Sequence, residues 1–412
     1  MRERTISIPN GRGQHLAGRL SVPVGEARGA AVFAHCFTCG KDLPSARRIS
    51  EAFTQAGIAV LRFDFTGIGQ SEGDHADTSF VTQVEDLAAA AATLRSEVGS
   101  CDALVGHSLG GAAALLAARA VEGVRAVVTI GAPFDPSHVV RHFEAPALAP
   151  GGGDAVEVVL AGRPIRLGRR FFEDLAGVRM AESIRDLRRP LLVMHAPLDE
   201  VVGVENAARI FEAARHPKSF LSLEGADHLL RRPSDARYAG HMAAAFVAQH
   251  LPPSAPVKTR PVTVHLRIGR DHYRTEVESA GHRLVADEPT SLGGAGTGPG
   301  PYELVAAGLG ACTAMTLRMV ADREAIPLEA VEVDLTHEKR HAEDARACEA
   351  GRAAKIDAID RRIRLFGPLT PAHVARLSAV ANKCPVHRSL TPCIHIDTRV
   401  TVPPEGGGPP GE

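Results

Sequence analysis

Three residues far apart in the chain have the types needed for acyl transfer through a covalent intermediate: Ser108, Asp199 and His228. A serine hydroxyl attacks a carbonyl effectively only when a base takes its proton. The base in turn needs a carboxylate to hold its tautomer and orientation. Ser108 lies in 106-GHSLGG-111, with Gly106 and Gly110 completing a G-x-S-x-G pattern. The apolar run 102-DALVGH-107 precedes it and the helical run 112-AAALLAARAV-121 follows. Strand, sharp turn and helix form the setting that exposes a nucleophilic serine, and the small residues permit the turn. Asp199 follows another apolar run, in 195-HAPLDEVV-202, and His228 lies in 218-KSFLSLEGADHLL-230, after the last strand pattern of this half. Asp135, after 127-VVTIGAP-133, is the alternative carboxylate; Asp227 adjoins His228 and can hardly reach back to its ring.

Thiols form the second group. Cys36 and Cys39 make a C-x-x-C pair beside His35 in 34-AHCFTCGK-41. A redox pair wants a cysteine at a helix N-terminus, where the dipole lowers its pKa, but here the helical pattern starts later, near Pro44. A zinc site wants two further ligands nearby, and only His35 is adjacent. The pair therefore reads as small apolar loop residues, with redox or metal chemistry as the alternative. Cys312 falls inside the helical pattern 309-LGACTAMTLRM-319 and Cys384 in 382-NKCPVHRSL-390. On their own, two cysteines so far apart read as buried small residues. His337 and His341, near Cys348, share one exposed face at strand period, and no metal is assigned to them.

The elements that must position these residues divide the chain in two. Up to about residue 250, apolar runs at 30–35, 58–65, 102–107, 125–132 and 190–196 alternate with helical stretches such as 44–57 and 79–99. That alternation predicts a mostly parallel sheet covered by helices on both faces. Residues 134–187 exceed what a connection needs and suggest a small cap. The Pro-rich 251–259 reads as a linker. An α+β domain over 260–402 follows: strands at 261–268, 272–279 and 282–288, a Gly-rich loop, and a long helix at 302–325. Strands at 328–341 and 355–367, a helix at 370–383 and a strand at 394–402 complete it. The tail 403–412 reads as disordered.

Residues 1–250 resemble an α/β-hydrolase, through the elbow, the order Ser108–Asp199–His228, and 64-DFTGIGQSEG-73, which looks like that superfamily's structural D-x-x-G-x-G-x-S loop. The resemblance implies a serine hydrolase cleaving carboxylic esters. It also implies an oxyanion hole made by the backbone N–H of Leu109 and of Phe37, with Cys36 the alternative donor, in the turn after the strand 30–35, where Cys36 replaces the usual glycine. Residues 260–402 resemble the OsmC/Ohr family, through 287-DEP-289, 293-GG-294, 299-PGPYELVAAGLGACTAMTLRM-319 and 383-KCPVHRSL-390. That likeness implies an intertwined homodimer. It further implies a thiol-dependent reduction of organic hydroperoxides, with Cys312 as the peroxidatic thiol and Cys384 as the resolving one. Glu303 is the candidate activating carboxylate, although Tyr302 occupies the usual place; no arginine stands where one is expected, Arg283 being nearest. Two readings follow. One is a bifunctional esterase and peroxidase; the other is an esterase whose second domain dimerises or binds a ligand.

Composition narrows the partners. A net charge of −1, from 47 basic and 48 acidic residues, provides no field for nucleic acid or an anionic membrane. The start, MRERTISIPNGRG, lacks a signal peptide's apolar core, and no uninterrupted apolar run reaches membrane length. The expected location is the cytoplasm, with reduced thiols, no cofactor, and a thiol reductant whose identity the sequence leaves open.

Overall fold

The computed structural model describes residues 2–24, 26–35, 40–136, 155–160, 163–168, 171, 174, 178–252, 264–269, 272–341 and 355–390. By compactness the chain forms two units, Met1–Asp271 with Thr275–Val285, and His272–Arg274 with Ala286–Glu412. Most of the 251–259 linker, the strand expected at 394–402 and the tail at 403–412 lie outside the described residues.

The first unit is built on an eight-stranded sheet. Its strands are β1 (Arg2–Pro9), β2 (His15–Val22), β3 (Gly29–Ala34), β4 (Ile58–Phe63), β5 (Ala103–His107), β6 (Ala126–Ile130), β9 (Leu191–His195) and β10 (Lys218–Ser222), in the order β1-β2-β4-β3-β5-β6-β9-β10. Pairing is antiparallel for β1–β2 and β2–β4 and parallel from β4 to β10. The predicted core strands are all present. The β1–β2 hairpin was not predicted; its apolar residues Ile6, Ile8, Leu16 and Leu20 alternate with polar ones, unlike the apolar runs of strands covered on both faces.

Helices α1 (Pro44–Gln55), α2 (Phe80–Val98), α3 (Leu109–Ala117), α4 (Met180–Arg185), α5 (Glu205–Ala213) and α6 (Pro233–Gln249) cover the sheet. Because successive strand residues point to opposite faces, β3 feeds two cores. Ala30, Val32 and Ala34 join the α2–α3 side, while Ala31 and Phe33 join the α1–α6 side. Ends are set locally: Ser79 caps α2 reciprocally with Thr82, and Gly99, at φ 86°, stops it in the left-handed region. Within the expected cap, β7 (Ala155–Leu160) and β8 (Arg163–Gly168) form an antiparallel hairpin.

Further along, β11 (Val264–Ile268), β12 (Thr275–Ser279) and β13 (His282–Ala286) form a three-stranded antiparallel sheet. In the second unit, α7 (Pro301–Arg323) packs on the ribbon of β14 (Ala330–His341) and β15 (Lys355–Phe366), with α8 (Pro371–Ala381) and α9 (Pro385–Leu390) following. Leu317, Ala321, Leu328, Leu377 and Val380 form its core. By length and composition alone α7 could cross a membrane, although Glu303 and Arg318 interrupt its apolar run. It nevertheless buries Leu309, Thr313, Leu317 and Ala321 within its unit.

Candidate active site

Ser108 stands between the end of β5 and the start of α3 with φ 55° and ψ −126°, a conformation that non-glycine residues rarely adopt. Three contacts keep it there. Ser108 N–H donates to Ile130 O at 2.8 Å, and Ser108 O accepts from Gly111 N–H at 2.8 Å. The third is close backbone approach: a Cβ at Gly106 would stand 2.2 Å from Gly110 O, and one at Gly110 would stand 2.5 Å from Ala34 O. The glycines flanking the serine are therefore spatial necessities. Leu109 opens α3, and the first N–H groups of a helix lack intrahelical acceptors, so its N–H is suited to receive a developing oxyanion.

Asp199 and His228 meet, as the order of motifs predicts. His228 Nδ1 lies 2.7 Å from Asp199 Oδ2, and the other carboxylate oxygen accepts from Val201 N–H and Val202 N–H, each at 2.9 Å. Burial alone would raise the Asp199 carboxyl. The His228 hydrogen bond and charge and the two backbone donors outweigh it, so the group sits below its ordinary value and is ionised. His195 braces the same loop, with Nε2 2.7 Å from Val202 O and 3.7 Å from Asp199 Oδ2. The carboxylate on His228 is thus Asp199, and the alternative, Asp135, does not take its place.

The sequence reading missed His107, the residue between Gly106 and Ser108. It is buried, and its Nε2 lies 2.7 Å from His228 O, with the two rings 5.1 Å apart. Burial and then the neighbouring His228 push its imidazole down to about 3, so the ring is neutral and its one N–H serves that carbonyl. His107 therefore ties the backbone of the histidine loop to the strand that carries the serine. Its position inside the G-x-S-x-G pattern was the available signal.

Phe37, proposed as the second oxyanion donor, and Cys36 and Cys39 lie outside the described residues. The chain just beyond them is firmly held. Asp64 accepts from Lys41 N–H and Lys41 Nζ, each at 2.7 Å, and both side chains are buried. Gln70 N–H reaches the same carboxylate at 3.1 Å, and Ser71 Oγ–H donates to Asp64 O at 2.6 Å. The structural reading of the 64–73 loop accords with these bonds.

In the second unit, Cys312 is half-buried on α7 and Cys384 is fully buried just before α9. The Cys312 thiol neighbours that of Cys384, and both are free thiols. Glu303, the candidate activator, caps α7 instead: its Oε2 accepts from Gly300 N–H at 2.8 Å, while Gly300 has no side chain to cap in return. The charged group beside the thiols is Arg361 of β15, which the sequence reading did not single out. Arg361 Nη1 donates to Thr313 Oγ1 at 2.8 Å, and Thr313 Oγ1 lies 3.7 Å from Cys384 Sγ. Tyr302 stacks on His337, whose Nε2 is 2.9 Å from Asp357 Oδ1. Among the described residues no cluster could hold a metal; Cys348 lies outside them.

Two family models match the chain. Residues 26–151 match serine aminopeptidase S33, and residues 294–399 match OsmC-like protein. Among solved structures, the esterase domain of a Rhodothermus marinus protein is 47% identical, with 61% of this chain and 99% of that chain covered and a TM-score of 0.52. Est1E from Butyrivibrio proteoclasticus, with ferulic acid bound, is 19% identical, with 60% and 98% covered and a TM-score of 0.52. The α/β-hydrolase GrgF from a Penicillium species is 21% identical, with 61% and 99% covered and a TM-score of 0.51. The latter two likenesses are of fold alone. None of the curated proteins matches the chain.

Proposed function

Because this chain belongs to the α/β-hydrolases, with an OsmC-like domain following in the same polypeptide, we propose that it is a carboxylesterase-type serine hydrolase fused to a thiol peroxidase for organic hydroperoxides. The observation that carries the hydrolase half is the 2.7 Å contact between His228 Nδ1 and ionised Asp199, combined with Ser108 in its left-handed turn. In this reading Asp199 holds the Nδ1–H of His228, leaving Nε2 as the base. Ser108 Oγ attacks the ester carbonyl and His228 takes its proton. The oxyanion forms against Leu109 N–H, with Phe37 N–H as the second donor. His228 then protonates the departing alkoxide, and water attacks the acyl-enzyme by the same route in reverse.

Ser108→Ala tests it. With a p-nitrophenyl ester as probe, kcat should fall by about 10⁶, as for loss of a triad nucleophile. A fluorophosphonate probe should label Ser108 in the native chain and nothing in the variant. Near-native turnover by the variant would end the proposal.

The peroxidase half is supported by the neighbouring free thiols of Cys312 and Cys384 within the OsmC-like domain. Cumene hydroperoxide should be consumed by the native chain and by Ser108→Ala, but not by Cys312→Ser. The second reading, a domain that dimerises the esterase, draws on the surface of α7, where Met315 is 65% and Met319 72% exposed. Apolar side chains so open suit burial against a second copy. A peroxide-inactive protein that sediments as a dimer would favour it.

A further inference from the structure

In the thiol pair the more open cysteine and the one surrounded by donors are different residues. Cys312, open to solvent in part, has a thiol as its partner. Cys384, with no exposure, is surrounded by donors. His387 N–H points at its Sγ at 3.3 Å, the Thr313 hydroxyl lies 3.7 Å away, and the Cys312 thiol is its neighbour. Thr313 has one hydroxyl proton, given to Leu309 O at 2.8 Å when Cys384 is neutral and available to Sγ when it is charged. Arg361 polarises that hydroxyl by donating to its oxygen at 2.8 Å. Its other acceptors are Ala381 O at 3.1 Å and Asn382 Oδ1 at 2.6 Å, so among the described residues its hydrogen bonds all go to neutral oxygens. Among the described residues no carboxylate hydrogen-bonds to this guanidinium, which sits one hydroxyl away from a buried sulfur.

We propose that the resting thiolate of the pair resides on Cys384, and that Arg361, through Thr313, is the positioning residue that holds it. Burial works against the charge, but the His387 and Thr313 hydrogen bonds, the neighbouring Cys312 thiol and the Arg361 charge outweigh it, and the Cys384 thiol sits below its ordinary value. The titratable groups acting on Cys384 are the Cys312 thiol from α7 and Arg361 from β15; Lys383 and His387 flank it on its own segment.

The assignment deepens the peroxidase reading and rests on it for the following chemistry. Cys384 serves as the base for Cys312, taking the proton of the neighbouring thiol. The Cys312 thiolate then attacks the peroxide oxygen, the O–O bond breaks, and the departing alkoxide takes that proton from Cys384 to become an alcohol. Cys312 is now a sulfenic acid. The restored Cys384 thiolate attacks its sulfur, expels hydroxide and closes the disulfide. For the return, a small dithiol attacks the accessible Cys312 sulfur, and the electron pair of the S–S bond leaves on Cys384, the better-stabilised leaving group. The dithiol's second sulfur displaces Cys312 and the dithiol becomes a cyclic disulfide, two electrons having passed to the protein.

The test is a thiolate titration of the full chain by far-ultraviolet absorbance, since a buried thiolate reacts too slowly for alkylation to report it. A thiolate that appears below the ordinary cysteine range should persist in Cys312→Ser, where the hydroxyl still donates, and vanish in Cys384→Ser. Arg361→Met should move that step up by about one pH unit or more, and Arg361→Lys, which keeps the charge, should restore part of the shift. Arg361→Lys carries the comparison if Arg361→Met does not fold. A low step that vanishes in Cys312→Ser and persists in Cys384→Ser would overturn the proposal, as would a step that neither Arg361 variant moves. Peroxide consumption is read separately. An inactive protein whose low step belongs to Cys384 sinks the peroxidase reading and leaves this one, and an active protein whose low step belongs to Cys312 does the reverse.

Discussion

Asp199→Asn is the change whose outcome the geometry specifies most closely. The carboxylate faces donors on both sides, His228 Nδ1 on Oδ2 and the Val201 and Val202 N–H groups on Oδ1. An asparagine must put an oxygen on one side and an NH₂ on the other. With NH₂ against the two backbone N–H groups, donors would meet donors in a buried site, at a cost of about 1–3 kcal/mol for each unmet group. The amide therefore turns its oxygen to the backbone and its NH₂ to His228. Nδ1 must then accept, which moves the imidazole proton to Nε2, where it blocks proton transfer from Ser108. A wrong tautomer of this kind costs about 10⁴ in kcat, or about 5 kcal/mol of transition-state stabilisation, with the fold retained. The assay is steady-state hydrolysis of a p-nitrophenyl ester, with KM expected to change little. A loss of less than about tenfold would refute the tautomer argument, and the assignment of Asp199 falls with it if Asp135→Asn proves the crippling change. The same carboxylate affects stability. Its folded pKa lies below the ordinary value, so its contribution is complete at neutral pH and is lost as pH falls through the ordinary carboxylate range and below. The melting temperature of Asp199→Asn should accordingly fall less steeply on acidification than that of the native chain.

Three further outcomes follow from the same geometry. His107→Leu removes the bond to His228 O, so kcat should fall by roughly ten- to a hundredfold with KM nearly unchanged, and His107→Gln, which can still donate, should recover part of it; equal loss in both would deny His107 its tie to the histidine loop. Gly106→Ala places a methyl 2.2 Å from Gly110 O, so the elbow must shift; the melting temperature should drop by about 2–12 °C and ester turnover with it. Cys101 is buried in the core with its thiol pushed up to about 12, chiefly by burial, so iodoacetamide at neutral pH should leave it unmodified in the folded chain and alkylate it after denaturation, as read by peptide mass mapping.

The sequence alone determined the core strands of the first unit and nominated Ser108, Asp199 and His228 for its site. The reason is physical: strands covered on both faces must be apolar throughout, and in a parallel sheet the loops after them emerge at one edge, so residues after β5, β9 and β10 were bound to converge. The β1–β2 hairpin escaped because a strand whose polar residues alternate with apolar ones leaves no continuous run. Tertiary structure decided what depends on direction and distance between remote segments. It set Asp199 rather than Asp135 against His228, tied His107 to a carbonyl 121 residues away, and brought Arg361 to Thr313 and Cys384. Residue type and spacing declare which chemistry is available. Which polar atom meets which is set by packing across the fold, because a hydrogen bond forms only within a few tenths of an ångström of one distance and no local pattern encodes that.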